Sequence, residues 1–164
     1  MQAIYLDFWA QNGAVYQQND GTFDFGSDKG AEAAKYLIDL IHKHHIAPPA
    51  AETNINPDIS RDLFIRGEMA MFQSGPYNLK HIAANAKFDW GIAPMVSGPE
   101  GRVSVVHGVA AVGNAQTKHK EAAAKLLTWL GSKAGQLPLA ADGVSFPGVV
   151  EAQEAFVNYW AKQG

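Results

Sequence analysis

"RGEMAMFQSGPYNLK", residues 66–80, decides the fold. Gly67 stands where a helix ends in a left-handed cap. Glu68–Ser74 has the length and apolar content of a buried strand, and Gly75-Pro76-Tyr77 opens the next helix with proline in its first turn. Helix, strand, helix in that order is the grammar of an α/β chain. The stretch also raises a question of function. The first N–H groups of a helix have no partner within it and point outward. Tyr77 sets a flat apolar face beside them. A sugar ring calls for that pairing, with C–H faces to stack and hydroxyls to satisfy.

Outward from this stretch, residues 2–10 alternate apolar and aromatic positions up to the turn signal Asn12-Gly13. "YQQNDGTFDFG" reads as a hairpin about Asp20-Gly21. Ser27 is an N-cap for a helix whose Ala33, Ala34, Leu37, Ile38, Ile41 and His45 share one face, and Pro48-Pro49 closes that region. "NPDISRDLFIRG" is a second helix, with Asn56 as cap and Pro57 at its first position. After the "YNLKHIAANA" helix, "FDWGIAPMV" and "RVSVVHGVAAVG" read as strands on either side of the turn "GPEG". Thr117 caps an amphipathic helix that buries Ala123, Leu126, Leu127 and Leu130. Pro138 breaks "SKAGQLPLAADG", and "VVEAQEAFVNYWAKQ" is the last helix. Fewer strands are legible than the roughly five that a doubly wound sheet takes. Phe23, Phe64, Phe72, Phe88, Trp90 and Trp129 are assigned to the core.

Composition excludes several classes of function. Hydrophobic residues make up 47% and charged residues 18% of the 164 residues, a folded composition. A net charge of −3 without any Lys/Arg cluster argues against nucleic acid, which needs a concentrated basic surface. Cysteine is absent, so disulfides and thiolate metal sites are excluded. The first 16 residues show neither a basic region nor a small-residue cleavage site. The protein is therefore expected either to stay inside the cell or to begin after an export signal.

Candidate chemistry is sparse. His42, His44 and His45 place two imidazoles one helical turn apart, but no acid completes a ligand set, and cationic histidine suits a helix C-terminus. "FQSGP" and "MVSGP" are not nucleophile elbows, and no phosphate loop occurs. Asp20, Asp24 and Asp89 are the only carboxylates offered for a glycosidase pair, and the first two sit in a polar hairpin where solvated acids are ordinary. No catalytic residue, metal ligand or cofactor site is assigned.

"WAQNGAVY", "FDFGSDKGAEAAKYLIDLIHKH", "LFIRGEMAMFQSGPYNL", "FDWGIAPMVSGPEG", "HGVAAVGNAQTKHKEAAAKLLTWLGS" and "LAADGVSFPG" follow one another in an order that resembles a known family. It is that of the extracellular solute-binding proteins of bacterial ABC sugar importers, the group containing maltose-binding protein. The resemblance runs from residue 5 to about residue 150. It implies a periplasmic-binding-protein type II-like α/β fold of two lobes joined by crossing strands and closing on a sugar like a hinge. It further implies delivery of the ligand to membrane permease subunits, with no reaction and no cofactor. Residues 1–91 would then be a portion of the C-terminal lobe, 92–142 a segment of the N-terminal lobe, and 143–164 the return.

By that resemblance the ligand-binding residues are Tyr77, Trp9, Asn12, Gly13, Gly75, His107 and Gly108. Tyr77 replaces the family's tryptophan, which shrinks the stacking face and adds a hydroxyl. Asn12-Gly13 matches an Asn-Gly-Gly segment in which Ala14 has taken the second glycine's place. His107-Gly108 stands where the family often has two glycines. Family members are more than twice this length, so the chain is expected to be a fragment lacking the export signal and any lipid-anchor cysteine. The whole protein would be periplasmic, or extracellular on a lipid anchor in Gram-positive bacteria. The Gly91–Asp142 segment is expected to expose apolar surface and so to favour a dimer. The alternatives are a binder of a polyamine or glycerol phosphate, a small glycan-processing enzyme, or a structural interaction domain.

Overall fold

Ser27 starts a helix with its own hydroxyl. Its Oγ accepts the Gly30 N–H at 3.3 Å, and α2 (Asp28–His42) follows. The computed structural model describes the backbone of residues 2–163 and the side chains of residues 5–163; Met1 and Gly164 lie outside them. The remaining helices are α1 (Gln2–Gln11), α3 (Ala50–Ile55), α4 (Ile59–Ile65), α5 (Leu79–Asn85), α6 (Lys120–Leu130), α7 (Lys133–Ala141) and α8 (Val150–Ala161). A single 3-10 turn, Pro76–Asn78, precedes α5. The chain packs as two units: Met1–Ser74 with Ala86–His107, and Gly75–Asn85 with Gly108–Gly164.

The first unit is organised on α1. Trp9 is 2% exposed, and its indole lies against α2 where Gly30 leaves room; a Cβ on Gly30 would stand 2.5 Å from the ring. Tyr5 and Phe25 meet Trp9 edge-on at 5.1 and 6.1 Å, and Phe8 faces Tyr36 of α2. Phe64 gathers Phe72 and Phe88 into a smaller cluster. In the second unit, α7 packs on α8, with Ala140, Ala152 and Phe156 buried, and Gly135 of α7 lies against the backbone at the end of α6. Lys80 of α5 pairs with Asp142 at the end of α7 and donates to its carbonyl at 3.2 Å, a cation where a helix leaves acceptors free.

Several sequence expectations are met. The hairpin forms, with an antiparallel bridge between Gln17 and Phe23, and Gly67 takes φ +75° at the end of α4. Others are corrected. Residues 2–11 are helical rather than merely alternating, and a short helix, α3, follows Pro49. Asn56 does not cap α4 directly; its side chain accepts the Asp58 N–H in a turn one residue before the helix. His45 is not on the α2 face, since the helix ends at His42 and His45 takes φ +54°. Thr117 accepts the His119 N–H, and α6 starts only at Lys120. Pro138 does not break α7, which continues to Ala141.

The strands are the largest correction. Residues 68–74, 88–96 and 102–113 form no ladder among the described residues. A strand exists only beside another that takes up its N–H and C=O groups, and these segments find no neighbouring strand. Residues 98–105 are held by α1 instead. The core differs for the same reason. Phe23, Phe88, Trp129 and Leu126 are exposed; Phe64, Phe72 and Trp90 are half-buried. None of the apolar residues of α6 is buried. The buried apolar side chains among the described residues include Trp9, Ala14, Ala33, Ile82, Ala140, Ala152 and Phe156.

Phe156 touches both Phe146 and Trp160 and closes the base of the α7–α8 pair. Phe156→Ala is expected to cost about 3 kcal/mol, the usual cost of truncating a buried aromatic, read as a lower urea midpoint for the loss of helical circular dichroism.

Candidate ligand-binding surfaces

The Asn12-Gly13 turn ends α1. The Trp9 carbonyl accepts the N–H groups of both Asn12 and Ala14, so the turn is tied to the residue that carries the buried indole. Asn12 Nδ2 donates to the Lys29 carbonyl at 2.8 Å and to Glu32 Oε2 at 3.0 Å. Both its amide hydrogens are thereby used. Gly13 adopts φ +79°, and a Cβ there would stand 2.7 Å from Lys29 Nζ and 2.9 Å from Glu100 Cγ. Those two side chains pair at 3.4 Å across the glycine. Asn12, Lys29, Glu32 and Glu100 thus form one exposed polar group at the joined ends of α1 and α2. The sequence had singled out Asn12 and Gly13 alone. Glu32 lies one turn after the Ser27 cap, a spacing that could have shown it at the same helix end.

Trp9 itself does not present a face. Its ring is enclosed by Tyr5, Phe25 and Gly30, and burial pushes the Tyr5 phenol above its ordinary pKa. The exposed aromatics beside this core are Tyr16, Phe23 and Phe25, with centroids 5.3 to 6.0 Å apart.

In the second unit, Tyr77 sits in the Pro76–Asn78 turn with 63% of its surface exposed. Its ring leans over Gly75, where any Cβ would overlap it. Glycine at 75 is therefore what allows the ring to approach the backbone this closely while most of its surface stays in solvent. The turn is continued by α5, which Ile82 anchors from a buried position. His107 and Gly108 are both exposed. Of the seven expected contacts, Trp9, Asn12, Gly13 and His107 belong to the first unit, and Gly75, Tyr77 and Gly108 to the second. Among the described residues no group of three or more His, Asp or Glu side chains is placed to hold a metal. His42, His44 and His45 are exposed.

The profile of the bacterial extracellular solute-binding protein family matches residues 2–137. The chain belongs to that family. A crystal structure of M. tuberculosis UspC superimposes with a TM-score of 0.75 at 44% identity, covering 99% of this chain and 40% of UspC. Maltose-bound T. maritima MalE3 gives a TM-score of 0.66 at 24% identity, covering 99% of this chain and 44% of MalE3. The chain thus has the fold of the corresponding part of these solute-binding proteins and spans about two fifths of their length.

Gly13→Ala places a side chain in a left-handed conformation and under an ion pair. It is expected to destabilise the first unit by about 1–3 kcal/mol, seen as a lower urea midpoint with an unchanged dependence on denaturant.

Proposed function

We propose that this chain is part of the ligand-binding subunit of an ABC sugar importer, acting in the periplasm or outside the cell, on a lipid anchor in Gram-positive bacteria, and passing a carbohydrate to the permease without chemical change. Membership of the solute-binding family supports the binding role. The sugar reading is carried by Tyr77, an exposed ring packed close against Gly75 at the head of α5. An aromatic face with polar atoms beside it suits a pyranose, whose C–H face stacks while its hydroxyls seek partners. In the other unit the side chains of Asn12, Glu32 and Glu100 supply acceptor oxygens for hydroxyl donors. The buried indole of Trp9 then supports the Asn12 turn rather than stacking. The α/β lobe architecture and the lobe ranges 1–91, 92–142 and 143–164 form part of the same proposal.

Sugar binding should raise the melting temperature with ligand concentration, because a ligand stabilises the state it binds. A thermal-shift screen of mono- and oligosaccharides is expected to give one responding class. Tyr77→Ala should weaken that response by about tenfold, and Tyr77→Trp should retain it. Response to a polyamine or glycerol phosphate alone would replace the ligand class, and turnover of a glycoside would overturn the binding role.

We further propose that the exposed apolar chain between residues 106 and 113, where Val106, Val109 and Val112 are almost wholly in solvent, pairs with a second copy. Unpaired extended backbone carrying β-branched side chains is a template for strand addition. Light scattering after gel filtration is expected to show a dimer at micromolar concentration, and Val109→Lys a monomer.

A further inference from the structure

Asp7 is a buried carboxylate, 8% exposed, for which the proposed binding role has no direct use. It accepts two hydrogen bonds, from the Val105 N–H at 2.6 Å and from Gln73 Nε2 at 3.1 Å. These two partners lie 32 residues apart in sequence, and each stands just before a point where the chain leaves the first unit. The chain passes to the second unit between Ser74 and Gly75, one residue after Gln73, and between His107 and Gly108, two residues after Val105.

Gln11 extends the same contact. Its Nε2 donates to the Val103 carbonyl at 2.9 Å, and its backbone carbonyl accepts the Glu100 N–H at 2.9 Å. Asp7 and Gln11 are one helical turn apart, about 6 Å along the axis. Val105 and Val103 are two residues apart on an extended chain, about 6.7 Å. The two repeats match closely enough for side chains of α1 to serve as the missing strand, running antiparallel to residues 103–105 just beyond the 98–101 turn. Gly98 permits the approach, since a Cβ there would stand 2.6 Å from Gln11 Cβ.

We propose that Asp7 is a positioning residue that fixes two chain exits of the first unit at one carboxylate, with Gln11 setting the register of the second. Gly75-Pro76-Tyr77 begins two residues after Gln73, and His107-Gly108 two residues after Val105. Asp7 therefore acts on both candidate contact segments through the backbone without touching ligand. This inference rests on the binding reading for its purpose, but the clamp itself is testable without any ligand.

The test is amide exchange and backbone chemical shift in the 15N-labelled chain, for wild type, Asp7→Ala and Asp7→Asn. Asp7→Ala should accelerate exchange at Val105 by about tenfold or more, the loss of one hydrogen bond of roughly 1.4 kcal/mol. It should shift Ser74, Gly75, His107 and Gly108 while leaving Ala152 in α8 unmoved. Asp7→Asn keeps an acceptor for Val105 and should restore most of the protection. If Asp7→Ala fails to fold, Gln73→Ala removes one arm only and should perturb Ser74 and Gly75 but not Val105. Wild-type Val105 exchanging at the rate of free chain, or changes confined to α1 and α2, would overturn the proposal. In a chain that binds sugar, Asp7→Ala should weaken affinity and Asp7→Asn recover it. A wild type that binds no sugar leaves the exchange result to decide the clamp by itself.

Discussion

Extended chain needs partners for its backbone, and in this protein a helix supplies them. Residues 98–105 have no strand beside them among the described residues. Each N–H or C=O taken from water without replacement costs roughly 1–3 kcal/mol. Asp7, Gln11 and the end of α1 take up three of these groups. The exchange also serves the helix. A carboxylate buried without donors is strongly disfavoured, and hydrogen bonds to a charged group are worth about 1.5–3 kcal/mol each. The segment and the acid satisfy one another. This is why α1 packs on two faces of opposite character: Phe8 and Trp9 toward α2 and the hairpin, Asp7 and Gln11 toward the chain at 103–105.

Glycine marks the places where these contacts close. Gly30 admits the indole of Trp9, Gly98 admits Gln11, and Gly75 admits the ring of Tyr77. In each case the neighbour is a large or polar side chain lying directly on backbone, so substitution would displace the side chain rather than merely fill a gap. Gly13 and Gly143 add positive φ to crowding, under the Lys29–Glu100 pair and under the Tyr159 ring. The fold therefore fixes its aromatic and polar side chains by removing Cβ atoms opposite them.

Local signals were readable where the chemistry is local. The Ser27 cap, the Gly67 turn, the Asp20-Gly21 hairpin and α8 need only a few neighbouring residues, and each stands where the residues place it. Partnership was not readable. Leu126, Leu127 and Leu130 recur at helical spacing in α6, which announces an apolar face but not what covers it, and that face is largely exposed. The runs at 68–74, 88–96 and 102–113 have strand composition, yet a ladder belongs to two segments and is not a property of one. Pro138 misled for a related reason. Proline removes one helical hydrogen bond and crowds the preceding turn, but Gly135 and Ala140 seat α7 in its unit and offset that loss. At the candidate surfaces, Tyr77 was legible from its place at a helix start as well as from motif resemblance, and Gly75, Asn12 and Gly13 from that resemblance. Lys29, Glu32 and Glu100 did not, because they meet Asn12 and Gly13 only through the packing of α1 on α2 and the return of the chain at residue 100.

Trp9 shows how burial changes a residue's part without removing it from the site. Its indole is covered by Tyr5, Phe25 and Gly30, so it offers no stacking face. Its carbonyl, however, accepts from Asn12 and Ala14 and so sets the turn that carries Asn12 and Gly13. The large side chain is the weight that holds this carbonyl still. A smaller residue at 9 would leave a cavity costing about 3–5 kcal/mol and would loosen the Asn12 turn along with it. The aromatic residue before the Asn-Gly turn is thus explained by support from beneath. Tyr77, in the second unit, owes its place to Gly75 and α5 instead, and its ring stays exposed without any such burial.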